Sequence, residues 1–553
     1  MKKLFKALAI LIACMVASSS AFGCAKKPDV GVDLDDSKKT IIISVFGGGF
    51  GTSWAVEMCN AWNKSEEGKA SDYQFTLLSD SGHLDTNATI KTYISSNATQ
   101  ADIFFTDDCD MTKFTDDTTQ DKLLDLTDVW NAKPDAQFPD RKVRDKFYFV
   151  DELESVWTSS SGAKLSIPYT MGTSGIVYDR DLFETMGWYF TDNTTANGLS
   201  KGMDGVEGTY DDGLPVTVSD FETLLSKITN RKLIPFVIYG DVASAGTDHV
   251  INAIWAQYEG VESFVNGFDY SGEIYRANGN FSVTPETGYQ IYQNAEGRTK
   301  GVKFVEDYII AKNLDKTYKY LYSDSSSLDH KESESTYIYS HDPGPQIAMT
   351  INGAWWENEA RGAFDEEKRI GNPGYGERNY GFMPVPILEG QNPASNKTVF
   401  SVNNFGSVFA VKSSDSAKNE AIKSFLAFYS SNAGLNIFTK KVGVAPGYKF
   451  EIDDTVLSNL TKFGKIYYEI CNSEHVEIVA PTVFRYLSPI NYKSTNSPKR
   501  NKVTVNSYDY TAYEAMNAIS NKKTATEVIE LWANEFNENT WATLVNSVMP
   551  KNN

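Results

Sequence analysis

Cysteine and histidine are scarce in this chain, and their scarcity excludes two kinds of protein. The 553 residues include five cysteines and five histidines. No cysteine pair has C-x-x-C spacing and the histidines are scattered, so the sequence predicts neither a zinc site nor a disulfide scaffold. We expect Cys59, Cys109 and Cys471, which follow residue 24, to be buried or partly buried free thiols.

Positive charge and long apolar stretches are scarce as well. The chain has 52 Lys and Arg residues against 72 Asp and Glu residues, a formal net charge of −20. Nucleic acid and anionic lipid surfaces repel a chain with this much negative charge. We therefore expect neither as a partner. Beyond the N-terminal region, no apolar run approaches the roughly 20 residues that span a bilayer.

The N-terminal region has the composition of a secretory signal. Three lysines among the first six residues precede the apolar run 7–17, and the mostly small residues 18–23 lead directly to Cys24. This order is typical of a signal peptide, here 1–23, because the apolar run is too short to be a transmembrane helix.

The end of this signal resembles the cleavage box of bacterial lipoproteins. The box is Ala-Phe-Gly-Cys at 21–24, although Ala21 stands where those proteins usually have Leu. The resemblance implies cleavage before Cys24, acylation of this cysteine, and a polar tether at 24–37. More than one acyl chain would anchor the protein stably to a membrane. The alternative is ordinary secretion with Cys24 incidental.

Two strand-like segments are followed by loops of unusual composition. Residues 40–46 and 101–105 are runs of β-branched and aromatic residues, as in buried parallel strands. A glycine-rich loop, 47–51, follows the first run, and an acidic loop, 106–110, follows the second. The glycine loop lacks the GKS or GKT of a nucleotide loop, so it predicts no phosphate cofactor.

Helical patterns alternate with such strands. Ser219 and Glu222 form a capping-box pattern ahead of one apolar helix face, and another face begins near Ser416. Alternating units predict an α/β fold with mostly parallel sheets. In such sheets ligands bind beyond the carboxyl ends of the strands.

Several segments, in this order, resemble the extracellular solute-binding proteins of bacterial ABC importers, in particular their sugar-binding, maltose-binding-protein-like branch. Asp179 stands where that family commonly has Asn, and Val218 where it has Trp. The matching segments are 167–173 (IPYTMGT), 175–183 (GIVYDRDLF), 214–221 (LPVTVSDF), 347–356 (IAMTINGAWW), 380–386 (YGFMPVP) and 443–446 (GVAP).

The resemblance implies a type II periplasmic-binding-protein-like fold with two α/β lobes and a ligand cleft at the hinge. The first lobe would take 38–167 and 398–446, and the second 168–387 and 447–553. The lobes close on the ligand by hinge bending. The implied protein is a monomer without a cofactor, on the outer face of the cell membrane, and its partners are a carbohydrate and the ABC permease.

Two other functions stay open at this point. The same fold could bind a peptide, a polyamine or another small solute. A secreted glycosidase would need paired carboxylates, but Glu357 and Glu359 are two residues apart and would point to different faces of a helix. We therefore expect a binding protein that captures an oligosaccharide and is not an enzyme.

Trp355 is the strongest candidate for contact with a sugar. Sugars offer apolar faces to aromatic rings, and each of their hydroxyls would cost about 1–3 kcal/mol if it were buried without a partner. Trp355 matches the sugar-facing Trp of the family, whereas its neighbour Trp356 suits a core position better. The other candidates are Asp108 in the acidic loop, Gly49 in the glycine loop, Tyr169 at the crossover, and, from position only, Trp255, Asn403, Tyr508 and Tyr510.

An Asp-rich insertion at 204–213 contains the residue type that binds calcium. Its spacing does not follow the EF-hand pattern, so a solvated turn is the favoured interpretation. We predict no metal site.

Overall fold

The structure is a computed structural model that describes residues 31–79, 87–114, 119–240, 246–341, 344, 346–484, 487 and 524–548. The predicted signal peptide, Cys24, Tyr508 and Tyr510 lie outside the described residues. None of the helices in these ranges has the length and apolar character that crossing a membrane requires.

The described chain alternates strands and helices. The strands are β1 Lys39–Val45, β2 Tyr73–Leu77, β3 Ile103–Thr106, β4 Ile167–Asp179, β5 Ile234–Val237, β6 Gly272–Ile274, β7 Phe281–Val283, β8 Ile347–Gly353, β9 Tyr380–Met383, β10 Thr398–Ala410 and β11 Val476–Val479. The α-helices are α1 Ser53–Lys64, α2 Glu66–Ala70, α3 Asn87–Ser95, α4 Thr127–Asn131, α5 Val150–Trp157, α6 Arg180–Met186, α7 Val218–Asn230, α8 Thr247–Glu259, α9 Val261–Asp269, α10 Tyr289–Asn294, α11 Glu296–Tyr308, α12 His330–Ile338, α13 Trp356–Glu359, α14 Arg361–Ile370, α15 Ser416–Tyr429, α16 Asn432–Val442, α17 Asp454–Asn459, α18 Lys462–Asn472, α19 Pro481–Phe484, α20 Ala525–Glu535 and α21 Glu538–Val548.

Nine of these strands form one continuous sheet in the order β2-β1-β3-β10-β4-β8-β5, with β11 beside β10 and β9 beside β4. Strand β4 changes partners along its length. Its first part, up to Ser174, pairs with β10, and its last part, from Ser174 onward, pairs with β8 and β9. We call the part that carries β1, β2 and β3 the first lobe and the part that carries β5, β8 and β9 the second lobe.

The prediction of mostly parallel sheets is right for the outer strands and wrong for the centre. β1 runs parallel to β2 and β3, and β5 runs parallel to β8. β4 pairs in antiparallel fashion with β10, β8 and β9. β10 also pairs in antiparallel fashion with β3. The long strands β4 and β10 run in opposite directions through the centre of the sheet, so antiparallel ladders form where the lobes join.

The apolar faces predicted from sequence are buried. Trp54, Met58 and Trp62 of α1 lie in the core, and α7 buries Phe221 and Leu224. α7 begins two residues earlier than predicted, and its capping box is formed by Thr217 and Asp220 instead of Ser219 and Glu222. Among the cysteines, Cys59 and Cys109 are buried, Cys471 is half-buried and all three are free thiols, as expected.

Candidate functional site

The carboxyl ends of β1 and β8, one from each lobe, meet at Trp355. The glycine loop follows β1, and Trp355 follows β8 as the N-cap of α13. Asn358 Nδ2 donates a 2.7 Å hydrogen bond to the Gly49 carbonyl, and the rings of Phe50 and Trp355 lie 5.8 Å apart. We call Gly49, Phe50, Trp355 and Asn358 the interlobe contact, because it joins the lobes at the strand edge where α/β sheets bind ligands.

Three glycines leave room for the indole of Trp355. A Cβ on Gly49 would overlap its Cδ1, a Cβ on Gly172 its Cζ3, and a Cβ on Gly353 its Cη2. A side chain at any of the three would therefore displace the ring. The indole stays only partly buried, so it offers aromatic surface to a ligand.

Polar side chains of the second lobe lie near this ring, and one of them, Glu359, contacts it. Trp355 Nε1 donates to Glu359 Oε2 at 3.1 Å, and Asn352 Nδ2 donates to Glu334 Oε1 at 2.9 Å. His330 Nε2 lies 3.6 Å from Glu359 Oε1. Burial, and then the charge of Glu359, raise the pKa of the Glu334 carboxyl to about 8. The site thus combines an aromatic plane with hydrogen-bonding groups, which is what a sugar requires.

Asp108 lies half-buried in the loop that follows β3. Its Oδ1 accepts from the Asp110 backbone N–H at 2.8 Å, and its carbonyl accepts from Ser407 Oγ at 2.6 Å. These bonds hold the acidic loop against β10. The Asp108 carboxylate therefore stabilises the turn of this loop, and its contact with a ligand stays a prediction.

Tyr169 lies beneath the glycine loop. Its ring is buried against Trp54 and Phe105, and its hydroxyl donates to the Phe46 carbonyl at 3.3 Å. Burial raises the pKa of this hydroxyl. Tyr169 therefore supports the loop from below and has no exposed surface. Asn403, on β10, is partly exposed, and its contact with a ligand stays a prediction.

The other two candidate tryptophans are in the core. Trp255 is 1% exposed and packs on Phe264 at 4.8 Å, so the structure contradicts a place for it on the cleft surface. Trp356 is fully buried, with its ring 4.8 Å from that of Tyr380, the core position favoured for it. Of Trp255, Trp355 and Trp356, only Trp355 keeps exposed surface.

Sequence reasoning missed Glu334, Asn352, Asn358 and His330 as neighbours of Trp355. Glu359 could have been found, because it stands four residues after Trp355 and such pairs face each other on a helix. Glu334 carries no such signal. Its approach to Asn352 depends on how α12 packs beside β8.

The Asp-rich insertion is a folded loop whose acids accept hydrogen bonds. Asp211 is fully buried and accepts from the Met203 and Asp204 backbone N–H groups at 2.7 and 3.1 Å. Asp212 accepts from Asn197 Nδ2 at 2.6 Å. The expectation of a solvated turn is therefore right for the exposed residues 205–208 and wrong for the buried residues 210–213. Across the described ranges, no three His, Cys, Asp or Glu side chains cluster so as to hold a metal ion.

Surface cavities elsewhere offer rival sites. One of about 440 Å³ is lined by residues that include Glu259, Tyr275 and Asn392, and another of about 530 Å³ by residues that include Trp62 and Asp135. Neither is formed by the loops at the carboxyl ends of β1, β3 and β8. We place the candidate site at Trp355 because only there does an exposed indole lie between the lobes.

Two lobes joined by long central strands, with a site between them, define a type II binding-protein fold. The profile of the bacterial extracellular solute-binding proteins matches residues 49–435. The chain therefore belongs to this family of extracytoplasmic binding proteins. A comparison with curated protein sequences finds no match.

Solved structures of sugar-binding proteins share this fold. A chitin oligosaccharide binding protein is 13% identical, with a TM-score of 0.52 over 92% of this chain and 100% of its own. The cyclic α-maltosyl-1,6-maltose binding protein of Arthrobacter globiformis is 13% identical, with a TM-score of 0.51 over 92% and 100%. The GacH receptor of Streptomyces glaucescens, solved with acarbose, is 12% identical, with a TM-score of 0.51 over 90% and 97%.

Proposed function

We propose that this protein is the substrate-binding lipoprotein of an ABC importer, which captures an oligosaccharide between its lobes and delivers it to the membrane permease. The half-exposed indole of Trp355 at the interlobe contact carries this proposal. A sugar ring can stack on the indole while Asn352, Glu334 and Glu359 take its hydroxyls. The sugar-binding neighbours of the same fold support a carbohydrate as the ligand class.

The two carboxylates of α13 suit binding better than hydrolysis. Glu357 is buried and accepts from Thr461 Oγ1 at 2.6 Å, whereas Glu359 accepts from the Trp355 indole. The two therefore face different partners and do not flank a common space, as the two carboxylates of a glycosidase must. This arrangement supports a protein that binds without chemistry.

We further propose that the signal peptide 1–23 is removed and that acylated Cys24 anchors a monomer to the outer face of the cell membrane. The acidic chain would then stay close to the permease without binding the lipid surface by charge. Metabolic labelling with palmitate tests the anchor. Label should appear on the parent chain and be absent from Cys24→Ser.

The ligand is tested by thermal shift on the chain without its first 24 residues. Mono- and oligosaccharides are screened beside amino acids and polyamines. A ligand present at about 100 times its Kd adds about 2.7 kcal/mol of stability. One glycan class should raise the Tm, and Trp355→Ala should abolish this shift.

The control is Tyr93→Ala, which removes an exposed aromatic ring from α3. It should leave the ligand-induced shift unchanged. If amino acids or polyamines raise the Tm while no saccharide does, carbohydrate is the wrong ligand class for this fold.

A further inference from the structure

Two carboxylates lie beside the end of β8 that leads to Trp355. Glu359 accepts from the indole Nε1 at 3.1 Å. Glu334, on α12, is 3% exposed and reaches the same strand end through its 2.9 Å bond from Asn352 Nδ2. Glu334 stands four residues after His330 on α12, and His330 Nε2 lies 3.6 Å from Glu359 Oε1, so this helix face brings Glu334 toward Glu359.

Neither carboxylate has a cationic side chain to balance it. In the part of the chain that the structure describes, no lysine or arginine forms an ion pair with Glu334 or Glu359. The basic group beside them is His330, 3.6 Å from Glu359, and its ring packs on Tyr239 at 6.0 Å. Lys331 is exposed and acts on Glu334 only through a weaker Coulomb attraction.

The neighbouring guanidinium is already engaged. Arg361 Nε donates to Asn358 Oδ1 at 3.1 Å, and the guanidinium stacks on the ring of Tyr375 at 4.0 Å. Arg361 is therefore engaged away from Glu334 and Glu359.

Burial keeps this pair from carrying two charges in the empty site. Burial and the neighbouring Glu359 raise the pKa of Glu334 to about 8, so at neutral pH Glu334 holds its proton and the two carboxyl groups do not repel each other. A sugar hydroxyl can form a hydrogen bond with this pair without changing its charge. An ammonium group favours the ionised form of Glu334, can donate a charge-assisted hydrogen bond to each carboxylate, and is attracted by the indole face.

We propose that the captured saccharide carries a positively charged amino group, as an amino sugar does, and that Glu334 and Glu359 hold this group at the edge of Trp355. This inference rests on the proposed function and specifies its substrate class. The indole binds the apolar face of the sugar ring. The carboxylate pair selects the charged substituent over an uncharged one.

Calorimetric titration of the chain without its first 24 residues tests the charge directly. The probes are glucosamine oligomers, the N-acetylated oligomers and glucose oligomers of equal length, at about pH 6, where primary amines are protonated. The amine-bearing oligomer should bind at least about ten-fold more tightly than the two neutral ones. Glu334→Gln and Glu359→Gln should each lower that preference by about ten-fold.

The matched control is Glu332→Gln, which removes an equal charge from the exposed face of the same helix. Gln also serves at this capping-box position, so the helix should form normally and the preference should change by less than about two-fold. If Glu334→Gln does not fold, Glu359→Gln carries the test, since Glu359 is the more exposed of the pair.

The outcomes separate this inference from the function on which it rests. Neutral oligomers that bind as tightly as the amine-bearing one overturn the charge selection and leave sugar capture standing. A preference for the amine that survives both Gln variants overturns the assignment to these carboxylates. Absence of binding by all three oligomers overturns the proposed function and this inference together.

Discussion

Three glycines decide where the indole of Trp355 can lie. Gly49 comes from the loop after β1, Gly172 from β4 and Gly353 from the end of β8, and each lacks the Cβ that would overlap the ring. The sequence offered Gly49 as a candidate ligand contact, and the structure shows that it makes room for the ring.

We predict that Gly172→Ala displaces Trp355 and weakens ligand binding by about ten-fold or more, because overpacking moves the ring. The measurement is calorimetric titration with the ligand found by thermal shift, together with tryptophan fluorescence. Gly175→Ala on the same strand is the control, since its Cβ would lie 3.5 Å from Phe382, an ordinary contact. Equal affinities in the two variants would contradict the steric role of Gly172.

Glu357 gives the protein a pH-dependent stability. Burial raises the pKa of this carboxyl from 4.5 to about 7 in the folded state. The folded state therefore binds the Glu357 proton more tightly than the unfolded state does. The stability that the protonated carboxyl contributes is fully present below about pH 4.5. It is lost as the pH rises through about 7.

We predict that Glu357→Gln removes this dependence. Gln keeps a hydrogen-bond acceptor for Thr461 and carries no charge to bury. The variant should gain up to about 3 kcal/mol in free energy of unfolding over the parent at pH 8, and the difference should vanish near pH 4. Urea unfolding at both pH values measures it, and a difference independent of pH would refute the titration of Glu357.

At the scale of elements, the periodic helices could be predicted and their exact starts could not. The face of α15 and its start at Ser416 agree with the sequence. α7 begins at Val218 because the chain just before it is held extended by tertiary pairing, with Ile387 N–H donating to the Val216 carbonyl at 2.8 Å. Both Thr217-Asp220 and Ser219-Glu222 fit the capping-box pattern, and a contact distant in sequence selects the first.

The residues of the candidate site were also only partly predictable from the sequence. Trp355 was identifiable because its motif is local and follows a strand. Asn358 and Glu334 were not, because their partners, the Gly49 carbonyl and Asn352, are brought to them by the packing of separate elements. Trp255 misled because position along the chain does not distinguish a core face from a cleft face.

Helix α20 packs on the second lobe through a buried cation. The guanidinium of Arg298 lies between the rings of Trp532, at 4.5 Å, and Tyr292, at 5.0 Å, and donates to the Tyr292 carbonyl at 2.6 Å. Because Arg298 is 1% exposed, Trp532 also shields its charge from solvent.

We predict that Trp532→Ala lowers the free energy of unfolding by about 3–5 kcal/mol, because it opens a cavity and uncovers a buried charge. Leu531→Ala, one residue away and 46% exposed, should change it by less than about 0.5 kcal/mol. Urea denaturation followed by circular dichroism measures both. Similar losses in the two variants would show that α20 does not pack through Trp532.

At the scale of the whole molecule, the lobes are joined in two ways. The strands β4 and β10 run between them and form a permanent connection. The interlobe contact around Trp355 is small: Gly49 and Phe50 pack against the indole, and Asn358 donates one hydrogen bond to the Gly49 carbonyl. A small contact between lobes can open and close where a nine-stranded sheet cannot, so this bond should bias the balance between open and closed forms.

We predict that Asn358→Ala shifts that balance toward the open form. A net hydrogen-bond contribution of about 0.5–1.5 kcal/mol corresponds to a change of roughly two- to twelve-fold in the equilibrium, and ligand affinity should fall by a similar factor because closure then costs more. Small-angle X-ray scattering of the ligand-free protein should give a larger radius of gyration. Asn472→Ala, which removes a bond within α18 to the Tyr468 carbonyl, should change neither quantity. Unchanged scattering with unchanged affinity in Asn358→Ala would mean that closure is controlled by the central strands alone.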